Sequence, residues 1–366
     1  MLHVFLLLAC AAMIYLACEW FVNAVEWLGV RLKIGSLAVG TVLAAAGTAL
    51  PESVVTLVAV LTGTRSGDDI AVGAALGGPL VVGTLAYGIT GVMLLLRART
   101  QPVLLQPPTP AAVVEHGQQV GCGSDTRTGR LAGSRRFTSR TLDGTDTRRL
   151  ARDQTWFLVI FIVKVGLGIV AFAIKPWLGL LFLAAYAVYF TRELRGSTEQ
   201  ASGEGLHPLN LQRRRTTPTT LAVVAQTVGT LVVIFAASQV FVTQLEWAGP
   251  ALGLPAVVVA LLLAPVATEL PEILNTIIWV RQGKTQLALA NVSGSMMIQA
   301  TIPSAIGLAF TPWLFATPLL LAGVATMLSV LYLRTLLRTG RVTAGRLAAA
   351  GGFYAAFAVA LAVNLA

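Results

Sequence analysis

The sequence predicts an all-α polytopic membrane protein in which ten transmembrane helices form two inverted five-helix repeats. Three observations predict it. With 366 residues at 56% hydrophobic and 11% charged, and a mean hydropathy of +0.77, the chain has too few polar groups to cover a water-soluble globule. Its apolar residues fall in about ten runs long enough to cross a bilayer as helices, whereas an outer-membrane barrel would show short alternating segments. Finally, a segment of the first half recurs without a gap in the second, at an offset of 220 residues.

In chain order the spans read 3–28, 35–61, 70–96, 156–174, 177–192, 219–247, 254–280, 286–309, 313–334 and 345–365. The N-terminus has neither a basic n-region nor a small-residue cleavage site, so the first helix is expected to be retained. The organisation that follows is residues 1–97 (first-repeat helices), 98–153 (a polar loop), 154–192 (two helices), 193–218 (a second loop), 219–310 (second-repeat helices) and 311–366 (the last two). Placing both termini outside the cell membrane puts 23 of the 26 Lys and Arg residues in cytoplasmic loops. Only Arg65 and Lys175 are then outside, with Lys164 inside a helix. The formal charge of +10 therefore reports topology and implies no nucleic acid; the expected partners are the lipid bilayer and inorganic cations. Both polar loops are too poor in apolar residues to fold alone, and read as linkers whose arginines meet anionic lipid, the alternative being a regulatory or partner-binding loop. Cys10, Cys18 and Cys122 are too scattered for a disulfide framework or metal cluster.

The repeat aligns Phe21-Val22 with Phe241-Val242, Glu26-Trp27 with Glu246-Trp247, Thr48 with Thr268, Leu50-Pro51-Glu52 with Leu270-Pro271-Glu272, and Gly63 with Gly283. Five helices separate the copies. An odd number turns the second copy upside down in the membrane, the architecture of many secondary transporters, whose substrate site lies near the midplane where the repeats meet.

Each copy sets a Pro-Glu pair inside an apolar helix, GTALPESVV around Glu52 and ATELPEILN around Glu272. Proline lacks an N–H and clashes with the carbonyl four residues back, so both helices are expected to kink and free carbonyl oxygens. An ionisable side chain at the bilayer centre costs about 2.5–3.5 kcal/mol on insertion scales. Two such costs at equivalent positions call for compensation, and Ca²⁺ takes six to eight oxygens from carboxylates, carbonyls and hydroxyls. Plain proline kinks with glutamates bonded to neighbouring helices would explain neither the duplication nor the carboxylates.

These two segments resemble the α-repeats of the sodium/calcium exchanger family of Ca²⁺:cation antiporters, whose signature is G-T-S-x-P-E followed by G-N-x-x-G-S-N. The resemblance implies Glu52 and Glu272 as central Ca²⁺ ligands, with Thr48 and Thr268 contributing backbone and hydroxyl oxygens. The second motif survives in the C-terminal copy as Ala290-Asn291-Val292-Ser293-Gly294-Ser295. It implies Asn291, Ser295 and Gln299 as ion-path residues, the last two sharing a helix face. The chain also departs from the family pattern. Ala49 stands where the family has serine, with Glu269 at the paired place. The N-terminal second motif reads Gly73-Ala74-Ala75-Leu76-Gly77-Gly78, so Gly78 and Val82 offer no side-chain oxygen and its glycines read as helix-packing positions. Glu269, three residues before Glu272, is the expected replacement. Like charges in a dry site resist joint ionisation, which suits proton coupling.

The function expected is secondary active antiport of Ca²⁺ or a related cation against Na⁺ or H⁺. The alternative is a degenerate exchanger-like protein that binds a cation without transporting it. The chain shows no HExxH and no G-x-S-x-G, and His3, His116 and His207 lie at a terminus or in loops, so no catalytic residue and no resident cofactor is expected, the ions being substrates. A channel fits two kinked inverted helices less well. Glu19 and Lys164 are expected to pair across the bundle or take part in gating, and Glu26 and Glu246 to sit at headgroup level beside Trp27 and Trp247.

Overall fold

A computed structural model describes residues 2–61, 65–100, 147–170, 174–195, 206–251, 253 and 259–365. The described residues are helical, with no β-strand. They comprise α1 (Leu2–Leu32), α2 (Ser36–Ala38) and α3 (Ala45–Leu61), α4 (Arg65–Val81) and α5 (Tyr87–Thr100), α6 (Thr147–Ile169) and α7 (Gly179–Arg195). The second half holds α8 (Thr220–Ala251), α9 (Ala264–Thr268), α10 (Leu270–Gln282), α11 (Thr285–Phe310), α12 (Thr317–Arg338), α13 (Ala344–Ala349) and α14 (Gly351–Leu365). Among the described residues seven continuous helical rods, two of them formed by α4 with α5 and by α13 with α14, are long and apolar enough to cross a membrane, and α9 with α10, bent by 53°, make an eighth. The α2–α3 rod and α6 fall short of that measure, α6 because its first turns carry Arg148, Arg149, Arg152 and Asp153.

The repeat is visible in the backbone as well as the sequence. A π-helical turn at Val39–Ala44 precedes α3, and another at Val259–Leu263 precedes α9, 220 residues later. Such turns widen a helix and recur at functional sites. The two halves differ at their prolines. α3 runs through Pro51 without interruption, whereas the equivalent rod breaks at Glu269 (φ −87°, ψ 3°). The expected kink is therefore present in the second repeat, and in the first the irregularity sits at the π turn.

The two repeat-opening helices α1 and α8 lie against each other over much of their length. α11 is the centre of the bundle, touching α3, α4, α6, α7 and α10, and is buried along most of its length. Tyr87, Phe157, Phe161, Met296, Met297, Trp313 and Leu333 pack the main core around it. A second cluster, with Phe21, Val22, Val25, Ile278 and Trp279, joins α1 to α10. Leu8, Trp177, Leu221 and Val363 point outward, the inversion expected where the solvent is lipid. Close approaches use small residues. A methyl group at Gly91 would meet the Ala348 backbone at 2.1 Å, and one at Gly294 the Thr41 carbonyl oxygen at 2.2 Å.

Two local expectations are corrected. The loop boundaries at 153 and 193 cut through helices: Arg149, Asp153 and Glu193 are buried. Burial is tolerated because Arg149 pairs with Glu193, which also accepts from the Thr41 hydroxyl at 3.1 Å. The span drawn from 313 begins at Thr317; the chain before it turns inward, with Trp313 at φ 48° and fully buried. Lys175 donates to the carbonyls of Val170, Pro312 and Trp313 and ties that turn down. Cys122 and most of the 98–153 loop lie outside the described residues.

Candidate cation site

Glu52 on α3 and Glu272 on α10 are both buried. So is Glu269, at the break between α9 and α10. The carboxyls of Glu52 and Glu269 face each other, and Glu272 lies within electrostatic range of both. Gly78 on α4 sets the position of Glu52: a β-carbon there would lie 2.3 Å from Glu52 Oε1. The aligned Gly77 lets α4 approach Pro265, where a methyl would fall 2.5 Å from Cγ. The packing expected of these glycines thus holds at Gly77 and Gly78, while Gly73 faces open space.

From α11, Gln299 Nε2 donates to Glu269 Oε2 at 2.7 Å. The Thr48 hydroxyl lies against Glu272, yet gives its proton to Ala44 O at 3.1 Å, so neither Glu272 oxygen receives a hydrogen bond. Thr268, half-buried, likewise donates to Pro265 O at 3.0 Å. Among the described residues, 16 buried side-chain nitrogen and oxygen atoms lack a hydrogen-bond partner. Eleven of these belong to Glu52, Glu269, Glu272, Asn275, Thr276, Asn291, Ser295 and Gln299, on or beside the mutually packed α3, α10 and α11. Each such atom costs about 1–3 kcal/mol. Concentrating that cost in one region is characteristic of a site whose oxygens are meant for something other than protein. The carboxylates are neighbours and not a preformed cage: among the described residues no three His, Cys, Asp or Glu side chains converge as a metal set.

Two of these residues were not assigned to the ion path from the sequence: Asn275 reads there as equally suited to a hydrogen bond between helices. Asn275 follows Glu272 by three and shares its helix face, which was the available signal. Thr276 aligns with Thr56 in the repeat, and that duplication is the one signal it carried. Other intramembrane charges are placed differently from expectation. Glu19 accepts from Tyr15 on its own helix, 2.7 Å away, and does not reach Lys164. Glu26 is buried, accepting from Trp279 Nε1 at 2.9 Å and pairing with Lys284 at 2.5 Å. A basic partner and an indole N–H stabilise it inside, so it needs no headgroup water. The side chain of Glu246 lies outside the described residues.

Residues 2–114 and 222–364, together well over half the chain, match the family described as sodium/calcium exchanger protein. The chain belongs to that family. The family is one of transporters, and its match spans both halves of this inverted repeat. Among solved structures, this exchanger-family chain is similar to the sodium-calcium exchanger NCX_Mj soaked with 2.5 mM Na⁺ and 0.1 mM Ca²⁺. The identity is 17%, with 99% of this chain and 98% of that one covered and a TM-score of 0.68. The same exchanger soaked with 2.5 mM Na⁺ and 10 mM Sr²⁺ gives 16% identity, the same coverage and a TM-score of 0.69. At that identity the likeness establishes a shared all-helical fold. No curated protein sequence matches the chain significantly.

Proposed function

We propose that this protein is a secondary active antiporter that exchanges Ca²⁺, or a related cation, for Na⁺ or H⁺ by alternating access. Glu52 and Glu272 are its central ligands. The observation that carries the reading is that glutamates at equivalent places in the two repeats are both buried in the bundle, on helices packed against each other, amid oxygens that no protein group satisfies. Thr48 and Thr268 add hydroxyl and carbonyl oxygens, Glu269 a third carboxylate, and Asn291, Ser295 and Gln299 line the path along α11. Carboxylate and amide oxygens in that number suit a hard cation of six to eight ligands. The similar exchanger was soaked with Na⁺, Ca²⁺ and Sr²⁺, ions of this class. In the orientation the charge bias supports, both termini lie outside and the large loops are cytoplasmic.

The test is radiolabelled Ca²⁺ flux in proteoliposomes under Na⁺ and H⁺ gradients imposed in turn. Wild type is expected to accumulate Ca²⁺ under at least one gradient. Glu52→Gln and Glu272→Gln are expected to abolish that flux while expressing normally, since each removes a ligand charge and leaves no cavity. Unchanged flux in either variant sinks the assignment. A second reading, cation binding without transport, is favoured by Ala49, Gly78 and Val82, which supply no side-chain oxygen in the first repeat. Ca²⁺ binding without flux under any gradient would establish it.

A further inference from the structure

Lys164 on α6 is fully buried in the middle of the bundle. Its ammonium donates to Ala75 O on α4, and to Gln299 O on α11 at 3.4 Å. Those carbonyls flank the site. Ala75 lies three residues before Gly78, against which the Glu52 carboxylate rests, and Gln299 is the residue whose amide holds Glu269. The Phe161 ring lies 5.1 Å from the ammonium, and Trp313 Nε1 donates to the Lys164 carbonyl at 3.3 Å, so the lysine is fixed at both ends. Among the described residues no carboxylate pairs with it within 4.0 Å. A buried ammonium held by carbonyl dipoles, on the backbone of the segments that seat Glu52 and Glu269 and paired with neither, is an expensive arrangement for a merely structural residue.

We propose that the Lys164 ammonium is a tethered monovalent cation built into the transport site. Glu52, Glu269 and Glu272 then present two net negative charges, which one divalent cation neutralises without a companion ion. The inference rests on the antiporter reading above. It also accounts for the first repeat's missing oxygens. A site that carries its own cation at the α4 backbone needs no side-chain ligands at Ala49, Gly78 and Val82 to hold a mobile one there.

The experiment is exchange of radiolabelled Ca²⁺ against internal Ca²⁺ in proteoliposomes, in choline medium and again with Na⁺ or K⁺ on both sides. Wild type and Lys164→Arg are expected to exchange in choline. Lys164→Met, whose Ca²⁺-loaded site keeps one net negative charge, is expected to fall by at least about tenfold in choline and to recover with alkali cation. The double variant Lys164→Met/Glu269→Gln restores two net negative charges and is expected to regain exchange in choline. Lys164→Met exchanging as well as wild type in choline overturns the proposal. So does a loss that neither alkali cation nor Glu269→Gln restores, which is what a structural role or misfolding would produce. Wild type carrying no Ca²⁺ under any condition overturns the antiporter reading itself.

Discussion

The hydrogen at Gly78 decides where the Glu52 carboxylate rests, because a methyl group in its place would meet Oε1 at 2.3 Å and Oε2 at 2.7 Å. Gly78→Ala is therefore expected to displace Glu52 and reduce Ca²⁺ exchange by about tenfold or more, since misplacing a functional group by about 1 Å has effects of that order. Stability should not fall with it, because alanine inside a helix gains about 0.5–1 kcal/mol over glycine. Gly73→Ala, in the same helix but facing open space, is the control and should exchange like wild type. Flux and thermal melting of the two purified variants check both statements; equal flux in Gly78→Ala would mean that Glu52 does not act from this position. At this scale the sequence was legible only in part. Duplication exposed Glu52 and Glu272, because matching positions are a signal that survives without structure. The partners of Glu19, Glu26 and Lys164 were not legible, because which charge meets which depends on helix rotation. Lys284, 258 residues from Glu26 in the chain, is what makes burial of that carboxylate affordable.

Among the elements, the broken rod of α9 and α10 carries the clearest asymmetry between the repeats. Both copies hold a proline and a preceding π turn, yet only the second opens at the residue before Leu-Pro-Glu, and that residue is Glu269 instead of alanine. The break delivers the Glu269 carboxylate to Glu52 and to the Gln299 amide. Two carboxyls facing each other in a dry bundle resist joint ionisation, so a proton or a cation should occupy the pair. Protons then compete with Ca²⁺, and exchange is expected to weaken as the pH falls. Glu269→Ala, which copies the first repeat, is expected to flatten that dependence if protons couple transport, or to shift the Na⁺ dependence if sodium does. Flux across a pH series and a Na⁺ series, for wild type and variant, decides. If neither moves, Glu269 lies outside the coupling chemistry. Apolar run lengths foresaw where the rods lie, because membrane thickness sets helix length. They could not foresee that α6 and α7 extend into the polar stretches, since the Arg149–Glu193 pair that permits it joins residues 44 apart.

For the whole molecule, the decisive consequence of the charge inventory is that the empty site cannot cross the barrier alone. Three carboxylates beside one ammonium leave a net negative charge, and an uncompensated charge in a low-dielectric interior costs several kcal/mol. Alternating access requires the bundle around α11 to expose the same residues first to one side and then to the other, and inverted repeats supply two related packings for that motion. Only forms loaded with a divalent cation, monovalent cations or protons avoid the charge penalty, so reorientation should be restricted to occupied sites. The expected outcome is obligatory exchange: Ca²⁺ preloaded in proteoliposomes should leave quickly when the outside contains Ca²⁺, Na⁺ or an excess of protons, and at least about tenfold more slowly into choline buffered at alkaline pH. A channel-like path would show no such dependence, because conduction through a pore needs no exchangeable ion on the far side. Equal efflux into both media would refute the charge rule, and with it the idea that the buried carboxylates couple one ion to another.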